Sequence, residues 1–117
     1  MPVPPEPGTR SYPGAGGKLP QNGFSLGGTW RVGAESATAV RDARLDARFV
    51  ASKVFLVLGS REGRPRKLRV ELDGRPYREV TVREQRLYTL VSLPAAEDRT
   101  LTLRFAPGLS GYAFTFG

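Results

Sequence analysis

Acidic side chains are the residues of this sequence that could do chemistry, because there are 11 Asp and Glu but no His and no Cys. Paired carboxylates can hydrolyse glycosidic bonds without His. Most of these acids, however, lie beside an Arg and alternate with apolar residues, which is typical of a solvated face. The absence of His and Cys removes the usual acid–base catalyst, thiol nucleophiles, disulfides and Cys-type zinc sites. We therefore expect a non-catalytic module that needs no cofactor.

Metal and phosphate sites are also not expected. Asp42 and Asp46 are close in sequence, but Arg44 lies between them and further Arg residues flank them. Calcium needs several converging oxygen ligands, which this arrangement does not supply. The Gly-rich stretches 14–17 and 27–28 do not lead into a helix whose N-terminus could hold phosphate.

Positive charge is the most conspicuous feature of the composition, with 18 Lys and Arg and a net charge of +7. If 67–73 is a strand, its charged residues alternate with Leu68, Val70 and Leu72 and form a solvated face. This interpretation is favoured, with binding of an anionic polymer as the alternative, and no specific nucleic-acid partner is expected. The basic residues of the dense stretch are Arg61, Arg64, Arg66, Lys67 and Arg69.

Aromatic residues are the first candidates for a ligand site, because their rings can stack on the apolar faces of sugars. Trp30 shares a predicted strand face with apolar neighbours, so core packing is favoured over a ligand platform. Tyr77 follows a predicted turn, where an aromatic ring has less to pack against, and is a candidate contact residue. Core positions are predicted for the stripe Tyr112, Phe114 and Phe116, and Tyr12 is expected to pack the N-terminal segment onto the domain.

Two charged residues complete the candidate ligand-binding set. Glu35 follows the first strand and could accept hydrogen bonds from hydroxyl groups, although an ion pair with Arg31 or Arg86 is favoured. Arg86 opens a predicted strand and could hold a carboxylate at the edge of a sheet.

Period-two alternation of apolar residues begins at residue 24 and predicts strands throughout the rest of the chain. The run 54–58 is continuously apolar and predicts a central strand covered on both faces. Asp73-Gly74 predicts a type I′ hairpin turn. About eight or nine short strands predict an all-β, two-sheet sandwich or small barrel over residues 21–117, preceded by a Pro/Gly-rich linker or arm over 1–20. The predicted strands cover 24–32, 36–40, 44–50, 53–58, 67–73, 79–83, 86–93, 99–105 and 111–116.

Five segments in order resemble one known module: 22–35 (NGFSLGGTWRVGAE), 49–57 (FVASKVFLV), 70–74 (VELDG), 86–91 (RLYTLV) and 111–117 (GYAFTFG). The chain resembles the C-terminal module of DipZ-type thiol–disulfide exchange proteins, a group that includes cytochrome c biogenesis proteins. The resemblance implies a jelly-roll sandwich similar to galactose-binding and carbohydrate-binding modules. It does not imply redox activity, because the thioredoxin-like domain with its Cys-X-X-Cys pair is not in this sequence.

The resemblance also implies where the module works and what it meets. An extracytoplasmic location, periplasmic or in the cell envelope, is expected, although the chain shows no signal-peptide pattern and no transmembrane segment. The implied partners are a glycan and a thioredoxin-like domain or protein. The leading hypothesis is thus a carbohydrate-binding-like accessory module. The alternative is a structural or protein-interaction sandwich that packs on a neighbouring thioredoxin-like domain and binds no sugar.

Overall fold

The computed structural model describes residues 8–13 and 23–117, and within them the structure is all-β, with one short 3-10 turn at Arg61–Gly63. This described part contains no helix that is long and apolar enough to cross a membrane. Seven strands form one curled sheet. They are β1 (Gly8–Pro13), β2 (Phe24–Val32), β3 (Ala37–Ser60), β4 (Arg66–Leu72), β5 (Arg75–Val82), β6 (Arg86–Phe105) and β7 (Leu109–Phe116).

Two very long strands replace five of the nine predicted ones, which leaves six, and β1, which was not among the predicted strands, is the seventh. The predicted strands 36–40, 44–50 and 53–58 are all parts of β3, and 86–93 and 99–105 are both parts of β6. Instead of ending at the expected turn over 94–98, the β3–β6 ladder shifts register between the pairs Ala51–Glu97 and Lys53–Ser92. A bulge of this kind bends a strand without ending it, so both strands continue.

The bend in β3 and β6 lets the sheet curl around a single core. The strand order is β1-β2-β3-β6-β4-β5, and β7 pairs with the second half of β3. β7 also reaches the beginning of β3, where Ala37 pairs with Gly111 and Thr38 pairs with Ser110. The result is an all-β fold, as the alternation predicted, of the jelly-roll type that the resemblance implies.

Alternation decides which side chains enter this core. In β4, Leu68, Val70 and Leu72 are buried, whereas Lys67 and Arg69 are exposed, as predicted for a solvated basic face. The run 54–58 is central, as expected, because β3 is paired on both sides. Its cover is incomplete on the outer face, where Phe55 and Val57 are only half-buried, so the prediction of two covered faces is wrong in that respect.

Turn chemistry agrees with expectation, whereas residues 8–13, predicted to be part of a linker or arm, form a strand of the sheet. Asp73 and Gly74 have φ values of 51° and 81°, the positive values that a two-residue type I′ turn requires. Gly8–Pro13 pairs with β2 at the edge of the sheet, and Tyr12 packs against the core as predicted. The remainder of the predicted arm, 1–7 and 14–20, and the Gly-rich stretch 14–17 lie outside the described residues. The domain boundary near residue 20 stays a prediction.

Candidate functional site: an apolar groove between β2 and β7

A groove of about 410 Å³ with a mostly apolar lining lies between β2 and β7. Its floor comes from core residues of β2, β3 and β6, and its walls from β2, β7 and the loop after β2. We call it the aromatic groove. It is lined by Phe24, Leu26, Trp30, Val32, Gly33, Ala34, Glu35, Ser36, Ala37, Leu45, Leu56, Phe105, Gly111, Tyr112 and Phe114.

Trp30 forms part of the floor of the groove. Its side chain is 1% exposed, and its ring meets Phe105 edge-on with centroids 4.8 Å apart. The indole N–H donates to the Gly27 carbonyl at 2.9 Å, so the one polar atom of the ring is satisfied inside the protein. The interpretation of Trp30 as a core residue is confirmed. An open stacking platform needs an exposed ring face, which Trp30 does not offer.

The wall formed by β7 differs from expectation. Tyr112, Phe114 and Phe116 were predicted to be core residues, but Tyr112 is 37% exposed, Phe116 is 46% exposed and Phe114 is half-buried. The β3–β7 ladder shifts register between the pairs Leu56–Phe114 and Leu58–Gly111, which interrupts the alternation at Tyr112, and Phe114 borders the open groove. Phe114 and Phe116 lie nearly parallel, with centroids 5.8 Å apart. The stripe therefore supplies ring surface to the groove and its edge.

Glu35 provides a carboxylate at the groove. It sits in the tight turn after β2, where the Gly33 N–H donates to the Ser36 carbonyl at 2.8 Å, and its side chain is exposed. The expected ion pair with Arg31 or Arg86 is wrong, since Glu35 makes no ion pair with any described residue. Arg86 instead forms an ion pair with Glu84, with 3.3 Å between the Arg86 Nε and the Glu84 Oε1. The Glu35 carboxylate is consequently open to hydroxyl donors.

The remaining candidate residues, Tyr77 and Arg86, lie outside the groove. Tyr77 is within β5 rather than in the turn before it, and its hydroxyl donates to the Ser92 carbonyl at 3.1 Å and accepts from the Ser92 N–H at 3.3 Å. This contact ties β5 to β6, although Tyr77 remains 38% exposed. Arg86 opens β6 as predicted, but its guanidinium lies 4.0 Å over the ring of Tyr88. The structure brings together Trp30 and Glu35 and leaves the other two candidates apart.

Sequence reasoning missed Phe24, Tyr112 and Phe114 as groove residues. The available signal was the aromatic stripe Tyr112, Phe114 and Phe116 itself, because periodicity places side chains on a face without showing whether that face is covered. The aromatics were assigned to the core because an alternating stripe usually faces a closed interior. Contacts between distant segments of the chain decide that Tyr112 and Phe114 line the groove.

The acidic residues near β2 do not form a metal site. Asp46 is buried. Its carboxylate forms an ion pair with Arg44 at 2.9 Å and accepts a 2.6 Å hydrogen bond from the Thr102 hydroxyl. Its charge is thus compensated internally. Among residues 8–13 and 23–117 there is no group of three or more acidic, His or Cys side chains that could hold a metal ion.

Fold and groove together define a jelly-roll-type domain with a concave aromatic surface. The chain belongs to the family described as the thioredoxin like C-terminal domain, whose model matches residues 4–117. No curated protein sequence matches the chain.

Solved structures with a similar fold include carbohydrate esterases of family two. The enzyme from Clostridium thermocellum, in complex with cellohexaose, shares 19% identity at a TM-score of 0.67, covering 81% of this chain and 31% of the esterase. The enzyme from Cellvibrio japonicus shares 14% identity at a TM-score of 0.66, covering 78% of this chain and 29% of the esterase. The chain therefore spans about a third of the length of these enzymes, and at such identities the likeness concerns the fold alone.

Proposed function

We propose that this chain is a non-catalytic accessory module that binds a glycan in the aromatic groove. The module would serve an extracytoplasmic, DipZ-like thioredoxin-like thiol–disulfide exchange protein, in the periplasm or cell envelope. Family membership and the five resembling segments support the association with thioredoxin-like proteins. The likeness to esterase domains supports a glycan as the ligand class.

The observation that carries the proposal is the composition of the aromatic groove. Tyr112 and Phe114 present ring surface at its wall, while Glu35 places one unpaired carboxylate beside them. A pyranose ring has apolar C–H faces and polar hydroxyl edges, so it can stack on the rings and donate to the carboxylate. Because few contacts offset the loss of hydration and of ligand freedom, we expect a dissociation constant of roughly 10 µM to 1 mM.

Catalysis is not part of the proposal. Thiol–disulfide exchange requires an attacking thiolate, and the sequence contains no Cys. The purified chain should accordingly leave insulin disulfides intact.

Titration calorimetry with cellohexaose and related neutral oligosaccharides tests the proposal. The affinity of the parent protein is compared with the affinities of two variants, each lacking one of two tyrosines of nearly equal exposure. Tyr112 is 37% exposed in the groove and Tyr77 is 38% exposed on β5, so truncating each removes a similar ring from a different place. Tyr112→Ala should weaken binding about tenfold, whereas Tyr77→Ala should leave it unchanged. Loss of binding in Tyr77→Ala alone would move the site to β5, and no binding by the parent would defeat the proposal.

The second candidate function is a structural sandwich that packs on a neighbouring thioredoxin-like domain. The observation favouring it is an apolar patch on the outer face of the sheet, where Leu87 is 47% exposed and pairs with half-buried Val57. Under this alternative Leu87→Glu, but not Tyr112→Ala, would abolish binding to a thioredoxin-like domain added in solution.

A further inference from the structure

A basic cleft adjoins the aromatic groove at Tyr112. It consists of two depressions, of about 510 and 320 Å³, that share Arg31, Thr38, Arg61 and Gly108 as lining residues. The smaller depression shares Tyr112 with the aromatic groove, so the ring of Tyr112 separates an apolar surface from a basic one.

Three arginines converge on this cleft from distant parts of the chain. Arg31 comes from β2, Arg61 from the turn after β3, and Arg66 from the beginning of β4. Arg66 is held in place, because its Nη1 donates to the Ser60 hydroxyl at 2.7 Å and to the Arg61 carbonyl at 2.6 Å. That contact also fixes the turn that carries Arg61.

The positive charge of the cleft is not compensated within the described structure. No Asp or Glu lines either depression, and Arg31 and Arg61 are exposed and make no ion pair with a described residue. Elsewhere arginines commonly have acidic partners, as in Arg44–Asp46 and Arg104–Glu71, both at 2.9 Å or less.

The dense basic stretch 61–69 is divided by the fold between two surfaces. Arg61 and Arg66 face the cleft, whereas Lys67 and Arg69 line a different depression that also contains Glu79. Lys67 lies 3.5 Å from Glu79, so that second surface is partly neutralised. The cleft, in contrast, has three arginines and no acidic residue in its lining.

We propose that the cleft binds the carboxylate of an acidic glycan, such as a uronic-acid residue, while a neighbouring sugar of the same chain occupies the aromatic groove. This inference rests on the proposed function, since the cleft would bind a second part of the glycan that the aromatic groove binds. Planar guanidinium groups match carboxylate geometry through paired N–H donors. A glycan is favoured over nucleic acid because the arginines are gathered in one depression beside an aromatic wall, rather than spread along a surface that could follow a phosphate backbone.

Calorimetry with oligogalacturonate and cellohexaose, at low and high salt, tests the inference on the full chain. Oligogalacturonate should bind at least about tenfold more tightly than cellohexaose at low salt, with the advantage reduced at high salt. Arg31→Gln and Arg61→Gln should each weaken oligogalacturonate binding roughly five- to tenfold and leave cellohexaose binding unchanged. Arg69→Gln, which removes the same charge from the other surface, is the matched control and should have no effect.

Four other outcomes would each contradict the cleft, the choice of a glycan as its ligand, or the proposed function. Equal affinity for the acidic and neutral oligosaccharides would overturn the cleft but leave the proposed function standing. If Arg31→Gln and Arg69→Gln lose the same amount of affinity for oligogalacturonate, net charge explains the effect and the cleft is not a site. Displacement of oligogalacturonate by duplex DNA at equal charge concentration would overturn the choice of a glycan. If neither oligosaccharide binds, both the proposed function and this inference fail.

Discussion

The strands β4 and β7 carry similar alternating apolar stripes but lie in different surroundings. β4 has neighbours on both sides, β5 and β6, and its residues Leu68, Val70 and Leu72 are no more than 4% exposed. In β7 the stripe ends with Phe116, which is 46% exposed, although Leu109 at the beginning of the same strand is 0% exposed. An alternating stripe thus becomes core or open surface according to whether other side chains pack over its face.

Trp30 lies beneath the open side, and its removal should have the largest effect on stability. Trp30→Ala leaves a cavity at a fully buried site and should lower the free energy of unfolding by about 3–5 kcal/mol. Urea unfolding monitored by circular dichroism measures this change. Trp30→Phe, which keeps much of the ring volume, should cost clearly less. A Trp30→Ala protein that unfolds like the parent would show that the groove has no packed floor.

A matched pair of truncations on β4 and β7 tests the comparison directly. Leu68→Ala removes a side chain that is 0% exposed and should cost about 2–5 kcal/mol. Phe116→Ala removes a larger side chain but should cost only about 1–2 kcal/mol, because much of the ring already contacts water. Equal costs in urea unfolding would mean that β7 is as closed as β4.

Replacing a glycine by alanine in β2 and in the β4–β5 turn compares how closely the backbone is packed at two positions of nearly equal φ. Gly28, in β2, has φ 77°, and a Cβ there would lie 1.9 Å from the backbone oxygen of Asp42. Gly74, in the β4–β5 turn, has φ 81° and no atom within 4 Å of such a Cβ.

Gly74→Ala should therefore cost about 1–2 kcal/mol for the left-handed conformation alone, whereas Gly28→Ala should cost roughly 2–5 kcal/mol because the backbone must also move. Thermal or urea unfolding of both variants provides the test. Similar costs would indicate that β2 can shift away from β3 without penalty.

The smallest expected effect concerns the clamp that holds the β4–β5 turn to β6. Burial, the largest single influence, raises the pKa of Asp73, but hydrogen bonds from the Thr100 backbone N–H and from Arg99 outweigh it and hold the pKa below its usual value. An acid of lowered pKa adds stability above its unfolded pKa, about 4, and this contribution is lost as pH falls through the lower folded value.

Asp73→Asn keeps an amide oxygen for the Thr100 N–H and tolerates positive φ, but it loses the charge that faces Arg99. The variant should be slightly less stable than the parent near pH 7, and the difference should shrink below about pH 4. Urea unfolding at pH 3 and pH 7 measures it, with Glu62→Gln as an exposed-acid control. A difference independent of pH would show that the clamp does not depend on charge.

Sequence patterns alone determined the fold class, the strand alternation, the Asp73-Gly74 turn and the burial of Trp30. These features are local, since a period of two sets which side chains share a face and turn residues set the sign of φ. They also suffice to exclude thiol chemistry, because the necessary side chain does not occur in the sequence.

Only the tertiary structure decided where the strands end and which surfaces remain open. Whether 94–98 ends a strand or bulges within one depends on the register against β3, and whether Tyr112 is core or groove wall depends on the register of β7 against β3. Likewise, Arg31 and Arg61 are 30 positions apart and meet in one cleft only because the sheet curls. Such features arise from contacts between distant segments, and local periodicity carries no information about them.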